Sequence, residues 1–301
     1  MNKKILLIDG NWLAFKSFFA GYYGNQLINS KGDMTFAIHI FFNTVFKLIK
    51  LVEPNNIYFA FDFGSTTNRH QSYPDYKKGR QKPPESLFLQ IDIIKKILSL
   101  SGFFWSQDSE FEADDLIASM QKIIRNTEPE TEIFVFSSDQ DLLQLVDKKT
   151  TIINKIKNNS INAINLENFH QNFGISPDQI VDFKVLAGDS SDNIKIIDGL
   201  GAKGAIKLLE KYKNVDNILE NLDKISTKLS KQIEEKRDKI LFFKDFIRLN
   251  YGAKFNFDIF QNLNIKICPD LLEILNELEL KKVSDALIEL SKREINNKNL
   301  I

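Results

Sequence analysis

Short apolar runs alternate with longer periodic ones along the first half of the chain. KKILLID (residues 3–9), NIYFAFD (56–62) and EIFVFSSD (132–139) are near-continuous apolar runs and predict strands buried on both faces. Between them lie helical patterns. FAIHIFFNTVFKLIKLV (36–52) is apolar on both faces, and LFLQIDIIKKILSL (87–100) is the next. Leu116, Ile117, Met120, Ile123 and Ile124 then form one helical stripe. KKTTIINKIKNNS holds a further strand, after which strand patterns stop. SPDQIVDFKVLAG carries a Ser cap, a Pro at the first helical position and a closing Gly188. GLGAKGAIKLLEKY and residues 226–247 also read as helical. The expectation is an α/β fold with a mainly parallel central sheet flanked by helices, over residues 1–170, then a helical region over 171–301.

Composition changes this picture little. The chain has 301 residues, with 40 Lys+Arg balancing 40 Asp+Glu, so any partner must be read from where the charges sit. A single cysteine, Cys268, excludes an internal disulfide and fits a reducing compartment. The opening MNKKILLIDG has too short an apolar run for a signal peptide, and no segment reaches the ~20 apolar residues of a membrane span. A cytoplasmic monomer with no membrane association is expected.

Charge position is more informative. Each of the three predicted strands ends in Asp: Asp9, Asp62 and Asp139, with Asp141 two residues on. Ligands of open parallel sheets bind at the carboxyl ends of strands, so these acids should converge. Glu112, Asp114 and Asp115 crowd the start of the Leu116 helix, and Asp189 and Asp192 are spaced i, i+3 in AGDSSDN. Taken singly, acids at a helix start complement its dipole and an Asp after a strand is a turn residue. Jointly, so many carboxylates in one crevice need a counter-charge. The three histidines, His39, His70 and His170, are scattered, and with the lone cysteine they give no zinc spacing. Oxygen-only ligation points to two or more Mg²⁺ or Mn²⁺ ions, as in two-metal phosphodiester hydrolysis.

Two further stretches suggest a polyanion. NRHQSYPDYKKGRQKPPE (68–85) combines Tyr76, an aromatic platform for a base, with Arg69, Lys77, Lys78, Arg80 and Lys82. If helical, it places Lys77 and Arg80 on one face; a solvated loop is the plain alternative. Gly199-Leu200-Gly201 opens a helix carrying Lys203 and Lys207, which suits backbone phosphate, although a plain inter-helix turn has the same sequence.

The ordered set LLIDGNWLAF, FAFDFGSTTNRHQSYPDYKKGR, EFEADDLIA, SSDQDLLQLV and LAGDSSDNIKIIDGLGAKGAIKLL resembles bacterial 5′-3′ exonucleases of the flap endonuclease family, similar to the N-terminal nuclease domain of DNA polymerase I. The resemblance spans residues 5 to about 210. It implies a PIN-like fold with an arch over about 64–86 and a helix–three-turn–helix over about 176–212. One ion would be held by Asp62, Glu112, Asp114, Asp115 and Asp139, with Asp9 acting through water; a second by Asp139, Asp141, Asp189 and Asp192. Tyr76, Lys77 and Arg80 would act on the scissile phosphate from the arch. Lys16, Arg69, Lys78, Gly199, Gly201, Lys203 and Lys207 would contact DNA, with a K⁺ ion on backbone carbonyls of the Gly199 turn. Substrates would be 5′ flaps and nicked or RNA-primed duplexes, with a separate polymerase as partner. Asp115→Asn should abolish cutting and spare binding. Lys16 and Phe15 stand where relatives often carry Arg and Tyr, Gln140 where Lys is common, and Lys195-Ile196 where Pro-Gly is frequent. A PIN-like ribonuclease and a non-catalytic DNA-binding relative are the alternatives. A haloacid-type phosphatase is disfavoured because IDGNW lacks its second Asp.

Overall fold

The structure, a computed structural model, describes residues 3–24, 27–64, 68–79, 82–261 and 263–298. Its centre is a sheet of six strands: β1 (Lys4–Asp9), β2 (Asn56–Asp62), β3 (Phe104–Asp108), β4 (Glu132–Phe136), β5 (Thr150–Lys157) and β6 (Ser160–Ile164). The spatial order is β3-β2-β1-β4-β5-β6. β1 to β5 are parallel and β6 runs antiparallel along β5. The strand order reverses between β1 and β4, so a crevice opens there at the carboxyl ends.

Period-two alternation divides the core. Ile5 and Leu7 face one apolar cluster, whereas Leu6 and Ile8 face the other. On the Leu6 face lie α1 (Gly10–Tyr22), α2 (Phe36–Val52) and, farther along the chain, the helix Glu85–Leu100. Gly10 opens α1 directly beneath Phe61; a Cβ there would stand 2.6 Å from the ring. The short α3 (Asn68–Ser72) precedes α4 (Glu85–Leu100). On the Ile5 face are α5 (Ala113–Thr127), α6 (Leu166–Phe173), α7 (Ile180–Ala187), α8 (Ala202–Tyr212), α9 (Val215–Glu220), α10 (Thr227–Glu235) and α11 (Arg237–Ile247).

The chain then crosses back. Asn56 accepts from Leu263 N and donates to Ile259 O, stitching an extended segment to the start of β2. α12 (Pro269–Glu277) and α13 (Lys281–Lys298) pack on the Leu6 face through Leu271, Leu275, Val283 and Leu287. The tail of the expected helical region therefore lies with the α/β core. The pattern reading overlooked α1, β3, β6 and α6. β3 is an edge strand of FWSQD with no fully buried residue, so it lacks the apolar run of a central strand. β4 stops at Phe136, which leaves Asp139 three residues beyond its end. Among the described residues no helix is long and apolar enough to cross a membrane.

Candidate metal centre and nucleic-acid interface

The crevice is assembled from strand ends and one helix start. Asp9 caps α1: its Oδ1 accepts from Trp12 N at 2.9 Å and its Oδ2 from Ser137 Oγ at 2.8 Å. Asp62 accepts from Ala113 N at 2.8 Å and from Asn11 Nδ2 at 2.7 Å, joining β2 to the start of α5. These two acids, with Lys77, Glu112, Asp114 and Asp139, line a cleft of ≈ 210 Å³.

The three crowded carboxylates of the α5 start divide the work. Glu112 and Asp115 form a reciprocal capping box. Asp115 points away from the cleft: Arg69 donates to its two oxygens at 2.8 and 3.0 Å, and Asn250 N donates at 2.8 Å. Glu112 Oε2 accepts from Arg69 Nη1 at 2.9 Å, Tyr76 Oη at 3.1 Å and Lys77 Nζ at 3.2 Å. Asp114 alone of the three joins the acids of the β4 side.

Two groups of oxygens then meet. Asp114, Asp139 and Asp141 can bring one carboxylate oxygen each within 4.8 Å of one another, and so can Asp141, Asp189 and Asp192. Asp141 belongs to both. Asp139 and Asp141 are brought together by the turn into the 3₁₀ helix Asp141–Leu145, where Asp141 N donates to Asp139 Oδ1. Asp189 and Asp192 sit in a hairpin closed by the Asp189–Ile194 bridge, with Ser191 N and Oγ donating to Asp189 Oδ1.

Burial strains this charge set. Desolvation pushes Asp9 up to about 7, with Asp62 and Asp139 adding repulsion. Asp114 is raised well above its usual range by burial and by its acidic neighbours. Burial and then Asp141 raise Asp192 to about 6. Asp62 and Asp141 are raised chiefly by burial. Asp189 is the exception: burial would raise it, but Lys184 outweighs that and holds it low. Lys184 Nζ lies 2.5 Å from Asp141 and 2.8 Å from Asp189, and its side chain is 6% exposed. The reading from sequence missed Lys184; its only local signal is a Lys five residues before Asp189, on a helix whose one other charged residue is Asp182. An oxygen-rich set in which Asp9, Asp62, Asp114, Asp141 and Asp192 resist ionising fits hard divalent cations.

The basic segment differs from expectation. Tyr76 is 5% exposed, edge-on to Phe246 and His70, so its ring is no open stacking platform. Among the described residues between 68 and 84, residues 68–72 alone are helical; residues 74–79 form turns with Lys77 at φ 56° and Gly79 at φ 92°. Arg69, expected on DNA, is held in a largely buried ion pair, 15% exposed. Among the described residues of this segment, Lys77 is the basic side chain that reaches the cleft. Lys78 pairs with Asp75 on the surface, and Arg80 lies outside the described residues. Across the crevice, the exposed Lys16 lies over the Trp12 ring at 4.3 Å. Gly201 caps α8, Gly199 turns at φ 75°, and Lys203 and Lys207 stand exposed on the first turns of α8.

Residues 4–174 match the family model described as 5′-3′ exonuclease, N-terminal resolvase-like domain; residues 175–268 match 5′-3′ exonuclease, C-terminal SAM fold. A 5′-3′ exonuclease of Mycoplasmopsis pulmonis is 36% identical, over 94% of this chain and 93% of its own. DNA polymerase I of Bacillus subtilis is 38% identical over 83% of this chain, which spans 28% of that longer protein. Among solved structures, the T5 D15 protein co-crystallised with metal ions superposes with a TM-score of 0.69 at 18% identity, covering 96% of this chain and 100% of that one. The catalytic core of Rad2 in complex with DNA substrate does so at 0.60 and 15%, covering 96% and 92%.

Proposed function

Because the chain belongs to the 5′-3′ exonuclease family, we propose that it is a two-metal, structure-specific 5′ nuclease that hydrolyses phosphodiesters near the 5′ end of flapped, nicked or RNA-primed DNA. The observation that carries this reading is the pair of carboxylate groups sharing Asp141. Asp114, Asp139 and Asp141 would hold one Mg²⁺ or Mn²⁺, and Asp141, Asp189 and Asp192 the other. When bound, such ions neutralise the cluster, lower the pKa of an attacking water and offset charge on the leaving oxygen.

The chain's own residues do the rest. Asp9 and Asp62, with both oxygens engaged by neighbours, fix the floor of the cleft. Lys77, on a turn over the cleft, would offer its ammonium to the scissile phosphate as charge develops there. Lys184 neutralises Asp141 and Asp189 and holds them in place between turnovers. Gly199, Gly201, Lys203 and Lys207 would grip duplex backbone without reading bases. Lys16, Lys78 and Arg80 would add phosphate contacts around the crevice. The likeness to part of DNA polymerase I supports work beside a polymerase, on RNA primers and flaps in replication and repair.

The test is a 5′-flap DNA, labelled at either end, incubated with Mg²⁺ or with EDTA. Metal-dependent cleavage near the junction, requiring duplex beyond it, is expected. Tight binding with no cleavage in Mg²⁺ or Mn²⁺ would point to a non-catalytic relative. Cleavage confined to RNA would point to a PIN-like ribonuclease.

A further inference from the structure

α7 and α8 are joined by residues 188–201, a stretch that doubles back through the Asp189–Ile194 bridge and turns at Gly199. Helix ends and turns of this kind leave carbonyls without backbone partners. In this hairpin three of them are taken by lysine ammonium groups. Lys195 Nζ donates to Leu200 O at 3.1 Å and to Ala187 O at 3.3 Å, drawing the end of α7 to the turn before α8. Lys236 Nζ, at the C-terminal cap of α10, donates to Ile196 O at 2.7 Å and to Asp198 Oδ2 at 3.0 Å.

The backbone makes room for the first of these tethers. Gly188 sits at φ 86°, where a Cβ would stand 3.2 Å from Lys195 Cδ and 2.9 Å from Ile194 O. A bare glycine thus lets the lysine stem lie across the hairpin.

A K⁺ ion on the carbonyls of this turn is what the family resemblance implies, and the residues present do not fit it. An ammonium is close to K⁺ in size and seeks the same carbonyl oxygens, and one tethered on its own chain competes at high effective concentration. We propose that Lys195, with Lys236 beside it, replaces a free monovalent cation in this hairpin, so that the chain grips duplex DNA independently of K⁺. Lys195 then serves as a positioning residue: it sets the turn that presents Gly199, Gly201 and the start of α8.

The DNA readout rests on the proposed function. Binding of a 5′-flap DNA is measured by fluorescence anisotropy, with Ca²⁺ in place of Mg²⁺, in KCl and in N-methylglucamine chloride at equal concentration. The wild-type Kd should agree within about twofold between the two salts. Lys195→Met keeps the stem and removes the charge; it should bind about tenfold more weakly in N-methylglucamine and recover in KCl. Wild-type binding that weakens severalfold without K⁺ would overturn the proposal. So would a variant unaffected in both salts, or one weakened equally in both. If the wild type bound no DNA at all, the nuclease reading would fall, and the proposal would be decided by thermal melting. The wild type should then melt at one temperature in both salts while Lys195→Met is stabilised by K⁺ alone. A K⁺-stabilised wild type, or a variant indifferent to K⁺, would overturn it.

Discussion

Asp141 and Asp115 carry the same charge and lie on opposite sides of the start of α5. Asp141 is common to both carboxylate groups, so Asp141→Asn weakens both at once. Single-turnover cleavage of a 5′ flap should fall by about 100-fold or more, with the Kd for that DNA nearly unchanged. Asp115 instead receives two donors from Arg69 and one from Asn250 N. Asp115→Asn removes a charge from a buried ion pair, and urea unfolding should show a loss of about 2 kcal/mol. Its cleavage rate per folded molecule should fall far less than that of Asp141→Asn. The family resemblance leads instead to the expectation that Asp115→Asn abolishes cutting and spares binding; that outcome, at unchanged stability, would make the assignment of Asp115 to the Arg69 pair as its main role wrong.

The segment of residues 68–79 is held by its neighbours more than by its own helix, which is only five residues long. Phe246 of α11 meets Tyr76 edge-on at 5.2 Å and Tyr73 at 6.0 Å. Phe246→Ala should loosen this segment while the sheet stays intact. Amide hydrogen exchange should quicken around residues 68–79 and stay slow in β1 and β4; uniform quickening would mean that Phe246 supports the whole fold. At α8, Lys203 and Lys207 are spaced i, i+4 and share one exposed face. Replacing both with Ala should reduce the slope of log affinity for flap DNA against log salt by about 2. An unchanged slope would remove α8 from the duplex interface.

For the molecule as a whole, the acidic crevice links stability to protons and to metal. Folding raises Asp9 from 3.8 to about 7 and Asp192 from 3.8 to about 6, and raises Asp62, Asp114 and Asp141 in the same direction. The folded, metal-free protein therefore binds more protons than the unfolded chain between those values. By linkage, these groups contribute less stability as pH rises from about 4 to about 7. Asp147 and Asp189 are held low and act below that window, and His39, lowered by burial, opposes the five carboxylates within it without outnumbering them. The melting temperature in EDTA should fall between about pH 5 and about pH 7.5, and saturating Mg²⁺ should reduce that fall, because bound cations replace the protons. A metal-free melting temperature that rises across this window would show that the cluster is not a strained charge set.

What the sequence determined by itself is what local pattern encodes. Residues 4–9, 56–62 and 132–136 form strands because each is a short apolar run, and a sheet covered on both faces buries such a run whole. The acids could be located, and the requirement for a counter-charge inferred, because a dense set of carboxylates anywhere on one crevice must repel. Gly188 marked the end of α7 and Gly201 the start of α8 for equally local reasons. Tertiary structure decided where each acid points. Asp114 and Asp115 are adjacent in sequence, but successive side chains of a helix point in different directions, so one meets Asp139 and the other Arg69. Lys184 finds Asp141 across 43 positions, and Asn250 N reaches Asp115 across 135. Such pairings arise only when distant segments pack, because burial makes a charge seek whatever partner the neighbouring segment presents, and no periodicity within one segment records that partner.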